Sequence, residues 1–321
     1  MRALLVVGER VLNALVLIVA VLLLAFALIH FAPGDPAMLI AGESADLETL
    51  AQVRAAYGFD QPWPQQLLGY FGRLLHGDLG QSYFFNAPVT QLVAERIPAT
   101  LLLVVTAIGV ATVLGTLLGV MAARKPRGPV SAGITVLAIV GFAAPVFWTG
   151  IVLIQLFASV LPLFPVSGMR SVASTSGSGA LDVLHHLVLP ATSLALFYLA
   201  QYSRLARASM LEVLAADYVR TARAKGLPAR LVVYRHGLRN AVLPLLTVLG
   251  LQFSQVFAGA VLVEAVFGWP GLGTLAFEAI MRRDTPVLLG ILLFSALIVV
   301  LVNVIVDLLY RVLDPRIGAT R

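Results

Sequence analysis

The chain has 321 residues, 60% of them hydrophobic and 12% charged, with a formal net charge of +6 and a mean hydropathy of +0.94. A soluble domain carries about 25% charged residues, so this composition excludes an ordinary soluble globule and points to an integral membrane protein with apolar runs of the ~20 residues that span a bilayer. Cysteine is absent, which excludes disulfides, thiolate catalysis and zinc or iron–sulfur centres built on thiolate.

The first predicted span runs over about Val11–Phe31. Arg2 and Arg10 precede it, and Ala25-Phe26-Ala27 resembles a cleavage site. The apolar run is nevertheless longer than the ~7–15 residues of a signal core, so the reading is an uncleaved helix. A segment at 32–96 follows. It holds an amphipathic helix over Ser44–Tyr57, with Ser44 as N-cap and Leu47, Leu50, Val53 and Ala56 on one face. A second helix over Pro64–Leu75 carries Leu67, Leu68, Phe71 and Leu74. Two readings stay open for this segment: packing against the bundle, or a cap that touches an outside partner.

The second span is expected at Ile97–Ala123 and the third at Val130–Leu161, kinked at Pro145. A loop at Pro162–Leu181 has linker composition over Ser174–Gly179. The fourth span, Leu184–Leu205, begins with His185-His186. Adjacent helical residues diverge by about 100°, so the pair reads as structural rather than as a metal site, and His30 and His76 are singletons.

Ala208–Pro244 is the most distinctive stretch. Arg220, Arg223, Lys225, Arg230, Arg235 and Arg239 lie between two apolar runs, and Gly226-Leu227-Pro228 is expected to split the stretch into two short helices. Attraction to anionic headgroups would explain its charge. It would not explain Asp217, Tyr218 or the small residues Ala215, Ala216, Ala222 and Ala224. A short helix held at the membrane face suits insertion into a groove on a cytoplasmic protein.

The fifth span, Ala241–Phe267, contains Gln252, Gln255 and Glu264, which are candidates for facing a translocation path because polar groups in a membrane span are costly. A tight turn at Gly268–Gly273 leads to the sixth span, Pro286–Val312. There Asn303, Asp307 and Arg311 form a stripe at intervals of four, read as a structural clamp. With the N-terminus inside, the inner segments hold 16 of the 22 basic residues, so the expected topology puts both termini in the cytoplasm. The whole reads as a single transmembrane domain over 1–321, with an extracytoplasmic insertion at 32–96 and a cytoplasmic hairpin at 208–240.

No GxSxG, HExxH or GxxxxGK[ST] pattern occurs, so neither a P-loop nor a familiar hydrolase site is present. A membrane enzyme would need a nucleophile–base or metal constellation, and none is visible. An ion-coupled secondary transporter would want intramembrane acids or paired half-helices near the midplane, and the chain offers few.

The hairpin resembles the "EAA" loop of permease subunits of bacterial ATP-binding-cassette importers. Gly226 takes the motif glycine, Ala222 the second alanine and Leu243-Pro244 the closing pair, while Arg220 and Thr221 replace the glutamate and first alanine. Further segments are similar to the dipeptide/oligopeptide/nickel branch, specifically the first permease of its heterodimeric pair. They are Phe31-Ala32-Pro33-Gly34-Asp35-Pro36, Gly77-Asp78-Leu79-Gly80-Gln81-Ser82, Arg96-Ile97-Pro98-Ala99-Thr100, Pro145-Val146-Phe147-Trp148, Tyr218 to Gly226, and Asn303, Asp307, Tyr310 and Asp314-Pro315-Arg316. The branch carries Arg-Thr-Ala-Arg-Ala-Lys-Gly in its motif, so the departures are its own.

The resemblance implies an all-α type I importer permease in a bacterial inner membrane. It would be surrounded by lipid and paired with a second, homologous permease, two cytoplasmic ATPases and an extracytoplasmic binding protein; nucleic acid has no part in this. ATP and Mg would sit on the partner subunits, and this chain would bind no cofactor and catalyse nothing. Asp217, Arg220, Thr221, Ala222, Arg223, Lys225, Gly226 and Leu227 would dock and couple the ATPases. The 32–96 segment and the Gly268–Gly273 turn would lie near the binding protein. Short peptides are the expected substrate, with nickel chelates and glutathione-like solutes as alternatives.

Overall fold

The computed structural model describes residues 12, 15–27, 35–42, 45–171 and 179–313, without the side chains of residues 36, 39, 251, 254, 257 and 306–313. All regular structure within them is helical, apart from one isolated bridge between Gln81 and Pro88. The elements are α1 (Leu15–Ala27), α2 (Pro36–Ala41), α3 (Leu47–Tyr57), α4 (Trp63–Leu75), α5 (Val89–Arg124), α6 (Pro129–Ala143), α7 (Val146–Leu153), a π-helical stretch (Ile154–Val160), α8 (Gly179–Ala215), α9 (Asp217–Ala224), α10 (Ala229–Leu231), a second π-helical stretch (Val232–Leu238), α11 (Arg239–Phe267), α12 (Leu272–Met281) and α13 (Thr285–Leu313). Among the described residues three helices are long and apolar enough to cross a membrane, and five if each of two bent pairs is one span. The short apolar α1 is the described part of the first expected span.

Several boundaries differ from the sequence reading, each for a local reason. α3 starts at Leu47, with the Asp46 carboxylate accepting from the Thr49 N–H at 2.9 Å, so Asp46 caps it; Ser44 lies outside the described residues. A short α2, which hydropathy alone did not reveal, is capped by Asp35, whose carboxylate accepts from the Ala37 N–H at 2.9 Å. The second span begins at Val89 rather than Ile97 and carries Pro98 within it. The third is broken rather than kinked. α6 and the helix from Val146 meet at 105°, because a residue before proline is driven out of the α region, and Ala144 sits at φ −81, ψ 129. The linker-like residues at 172–178 lie outside the described residues.

The chain divides into two compact units, residues 1–98 with 271–301 and residues 99–270 with 302–321. In the second, α8 is the hub. It buries Leu187, Leu194, Tyr198, Tyr202 and Met210 among many others, and α6, α7 and α11 pack on it. Small residues permit the close approaches. A Cβ on Gly119 would come 2.5 Å from the Ala206 Cβ and the Ser203 carbonyl oxygen, and one on Gly115 would come 2.7 Å from the Tyr202 Cβ. This is the small-xxx-small contact by which membrane helices pack without a hydrophobic drive between them. Val105, Val113, Val136, Ile139 and Val140 stay exposed, as residues facing lipid tails would.

The first unit is fastened by a buried polar group. Asp284, with no exposed surface, accepts hydrogen bonds from the Ser82 hydroxyl, from the Phe84 N–H at 3.1 Å and from the Val287 N–H at 3.5 Å. Ser82 Oγ in turn accepts from the Phe85 N–H at 2.8 Å. The Arg282 guanidinium stacks 3.4 Å above the Phe84 ring. Together these contacts pin the 81–88 turn to the junction of α12 and α13.

Candidate functional site

The hairpin of basic residues is built on the end of α8. Helix α8 stops at Ala215 because Ala216 adopts an extended φ −68, ψ 149, and α9 restarts at Asp217. Asp217 in the first turn and Arg223 in the last complement the helix dipole. Two positions three apart, Val219 (0% exposed) and Ala222 (6%), bury against Val232, with Val213, Leu214 and Leu227 packed around them. Everything else on α9 faces out: Asp217, Tyr218, Arg220, Thr221, Arg223 and Ala224, followed by Lys225 and Gly226. The Thr221 hydroxyl donates to the Asp217 carbonyl at 3.0 Å, and Arg220 Nη1 lies 3.3 Å from Asp217 Oδ1. Both are exposed, surface-grade interactions worth little to stability.

Gly226 ends α9 in the left-handed region at φ +75. The Lys225, Gly226 and Leu227 N–H groups turn back to the carbonyls of Thr221, Arg223 and Ala222 at 3.0, 3.0 and 3.4 Å. A Cβ on Gly226 would meet nothing within 4 Å, so conformation rather than space demands glycine there. The second arm departs from the two-helix expectation. From Ala229 the chain runs through α10 and the π-helical Val232–Leu238 straight into α11, without a separate second helix. Beneath it Val120, Ala123, Met210, Val233 and Ala241 form a second apolar cluster. Asn240, at the start of α11, donates to the Tyr218 hydroxyl at 2.7 Å. A push on α9 therefore bears on both α8, which leads into it, and α11, which leads away. The exposed Arg220, Arg223 and Lys225 give α9 a basic outward face.

The polar residues of α11 do not form one site. Gln252 is buried and donates to Gln201 on α8, while its Oε1 is enclosed with no partner among the described residues. Gln255 is exposed. Glu264 is wholly buried and accepts from the Thr100 hydroxyl at 2.6 Å. Beside it Trp269, also fully buried, donates from Nε1 to the Ala99 carbonyl at 2.8 Å and from its N–H to the Glu264 carbonyl at 2.9 Å. Glu264 thus closes a knot between the C-terminal end of α11 and Ala99-Thr100 within α5. On α13, Asn303 is exposed; the side chains of Asp307 and Arg311, and with them the expected clamp, lie outside the described residues, as do residues 314–316.

Sequence reasoning missed Gln201, Thr100, Trp269, Ser82 and Asp284 as partners, and it missed α12. Asp284-Thr285-Pro286 carries the helix-start signature of α13, and Gly115 and Gly119 carry the GxxxG spacing.

Comparison with known proteins reaches nearly the whole length. The family model "Binding-protein-dependent transport system inner membrane component" matches residues 115–319, and the N-terminal model of such membrane components matches residues 3–104. The dipeptide transport system permease of Escherichia coli K12 is 43% identical over 320 residues, covering 93% of this chain and 94% of its own. The oligopeptide transport system permease of Bacillus subtilis is 37% identical over 310 residues, covering 96% and 98%. Among solved structures, an inward-facing methionine ABC transporter matches with a TM-score of 0.57 at 15% identity, over 70% of this chain and 97% of that one. An amino acid ABC transporter matches with a TM-score of 0.52 at 16% identity, over 69% and 94%. Those two establish a shared fold, that of type I importer permeases. The all-helical architecture and both family matches agree: the chain belongs to the family of inner membrane components of binding-protein-dependent transport systems.

Proposed function

We propose that this chain forms half of the translocation pathway of an ATP-driven importer for short peptides, paired with a second, homologous permease. The observation that carries the substrate class is its 43% identity, along 93% of its length, to a dipeptide permease. ATP and Mg bind to two partner ATPases, which hydrolyse the nucleotide, and this chain holds no cofactor. The ATPases dock on Asp217–Leu227, where exposed Arg220, Arg223 and Lys225 face outward and Val219 and Ala222 anchor the helix to the body. Closure of the ATPases moves α9, and rigid-body rocking of α8 and α11 alternates access. The 16 to 6 partition of basic residues supports cytoplasmic termini and puts the α2–α4 segment outside, toward the binding protein.

The test is reconstitution of this chain with the products of its neighbouring genes in liposomes, with uptake of labelled Ala-Phe measured with and without ATP. ATP-dependent uptake that requires the binding protein is expected. Uptake of a nickel chelate or glutathione in place of peptide would overturn the substrate reading. Uptake driven by an ion gradient without ATP would overturn the importer reading itself.

A further inference from the structure

Within the first unit, α3, α4, the 79–83 turn and the start of α13 line a cavity of about 820 Å³, inside the ~300–1,000 Å³ range of small-molecule sites. Three rings make one wall. Tyr83 meets Tyr57 and Phe59 edge-on, with centroids 5.4 and 5.7 Å apart. On α4 the lining residue Tyr70 is 5% exposed, and its hydroxyl is buried with no hydrogen-bond partner among the described residues. Such orphans are uncommon in folded proteins and ask for an explanation.

Arg73 stands three residues further along α4 and has no ion pair or side-chain hydrogen bond among the described residues. The other cation of the wall, Arg54, is bound to Asp35. The charge of Arg73 acts on both the Tyr70 and the Tyr83 hydroxyls, where it opposes the rise that burial imposes and that takes Tyr70 to about 12. Arg73, Tyr70 and Tyr83 all belong to the lining of the cavity. Among the described residues the one acid that lines the cavity, Asp35, is already paired with Arg54, which leaves the exposed Arg73 as the cation able to meet an anion there. Beside Arg73 there is room, since a Cβ on Gly69 would meet only Arg73 Nη1, at 3.9 Å.

We propose that this cavity binds the C-terminal end of a short peptide, its carboxylate on Arg73 and its side chain against Tyr57, Phe59 and Tyr83. The planar fork of a guanidinium matches the acceptor geometry of a carboxylate, and aromatic walls suit an apolar or aromatic side chain. The inference rests on the peptide reading and adds to it a holding site built from the α2–α4 side.

The test is equilibrium binding of tritiated Ala-Phe to the full-length chain in nanodiscs, without binding protein or ATPases. Saturable binding is expected, with Ala-Phe-amide at least about tenfold weaker as a competitor and Arg73→Gln weaker by a similar factor, as befits loss of a charge-assisted pair. Tyr70→Phe removes an enclosed hydroxyl that a bound peptide does not reach, so it should leave binding unchanged and the melting temperature unchanged or raised. Gly69→Leu fills the cavity from an open position and should abolish binding. No saturable binding, an amide that competes equally, or wild-type affinity in Arg73→Gln overturns the site. Ala-Phe uptake by the assembled importer judges the peptide reading separately. Uptake without binding to the chain sinks the site alone; neither uptake nor binding sinks both; binding without uptake supports the site and sinks the import reading.

Discussion

The hairpin around α9 and the turn at 81–88 are held in opposite ways. Helix α9 is anchored by two small apolar residues, Val219 and Ala222, and turns its charges outward. The 81–88 turn buries a carboxylate: Asp284 gathers Ser82, the Phe84 N–H and the Val287 N–H in the interior of its unit. Apolar anchoring is shallow and non-directional, so it tolerates small shifts as a helix is pushed. A buried carboxylate with three donors is directional, and loosening it leaves several groups unsatisfied at once. The first design suits a part that transmits motion, the second a part that keeps its shape.

The largest effect should come from the latch. Asp284→Ala strands the Ser82 hydroxyl and the Phe84 N–H without a partner and should destabilise the first unit by ~3 kcal/mol or more. Hydrogen exchange should show lost protection over residues 81–88 with α9 unchanged; equal loss in α9 would erase the distinction between the two regions. Beneath the hairpin, Gly119→Val drives side-chain atoms into the Ser203 carbonyl and Ala206, at about 1–3 kcal/mol for overpacking. The control Gly109→Ala meets nothing within 4 Å and should be neutral or stabilising in a thermal melt. Gly226→Val forces a β-branched residue to φ +75, costing about 1–3 kcal/mol locally. The protein should still reach the membrane and recruit active ATPases, with uptake lost; normal uptake would remove α9 from the coupling role. Arg220→Ala should move stability by less than ~0.5 kcal/mol, since its pair with Asp217 is exposed, yet weaken ATPase association most at low salt.

Helix α9 was legible because its determinants are local. Val219 and Ala222 at helical spacing, then Gly226 and Pro228, fix a short amphipathic helix and its stop. The break at Ala144 follows from Pro145 and its effect on the preceding residue, so a bend was readable, though not its 105° size, which is set by what α6 and α7 pack against on α8. The second arm of the hairpin was misread because Pro228 marks a start as readily as a stop, and nothing local separates α10 from the π-helical residues and α11. Asp284 and Ser82 are 202 residues apart, and Thr100 and Glu264 are 164 apart; no periodicity links such pairs. The cavity was illegible for the same reason. Tyr57, Tyr70, Arg73 and Tyr83 read as an amphipathic helix, another helix and a turn, and become one surface only when the segment folds back on itself.

The smallest effect sharpens the comparison at its polar end. Asp35 both caps α2 and pairs with Arg54, and the Arg54 hydrogen bond, with lesser help from the Ala37 N–H, lowers its pKa below the ordinary carboxylate value of 3.8. A carboxyl whose pKa is lower in the folded than in the unfolded state contributes stability above the unfolded value and loses it as pH falls through the folded one. The pair should therefore be fully present at neutral pH and disappear only in acid. Its side chains are 46% and 25% exposed, so solvent screening limits it to under ~1 kcal/mol. Asp35→Asn keeps an oxygen for the Ala37 N–H and removes only the charge. The melting-temperature gap between wild type and Asp35→Asn should be small at pH 7, shrink in 0.5 M salt, and close in acid once the pH has fallen through the lowered folded pKa. A gap that persists in acid would mean that Asp35 works through the cap rather than the ion pair, and that the first unit owes its stiffness to the buried Asp284 latch alone.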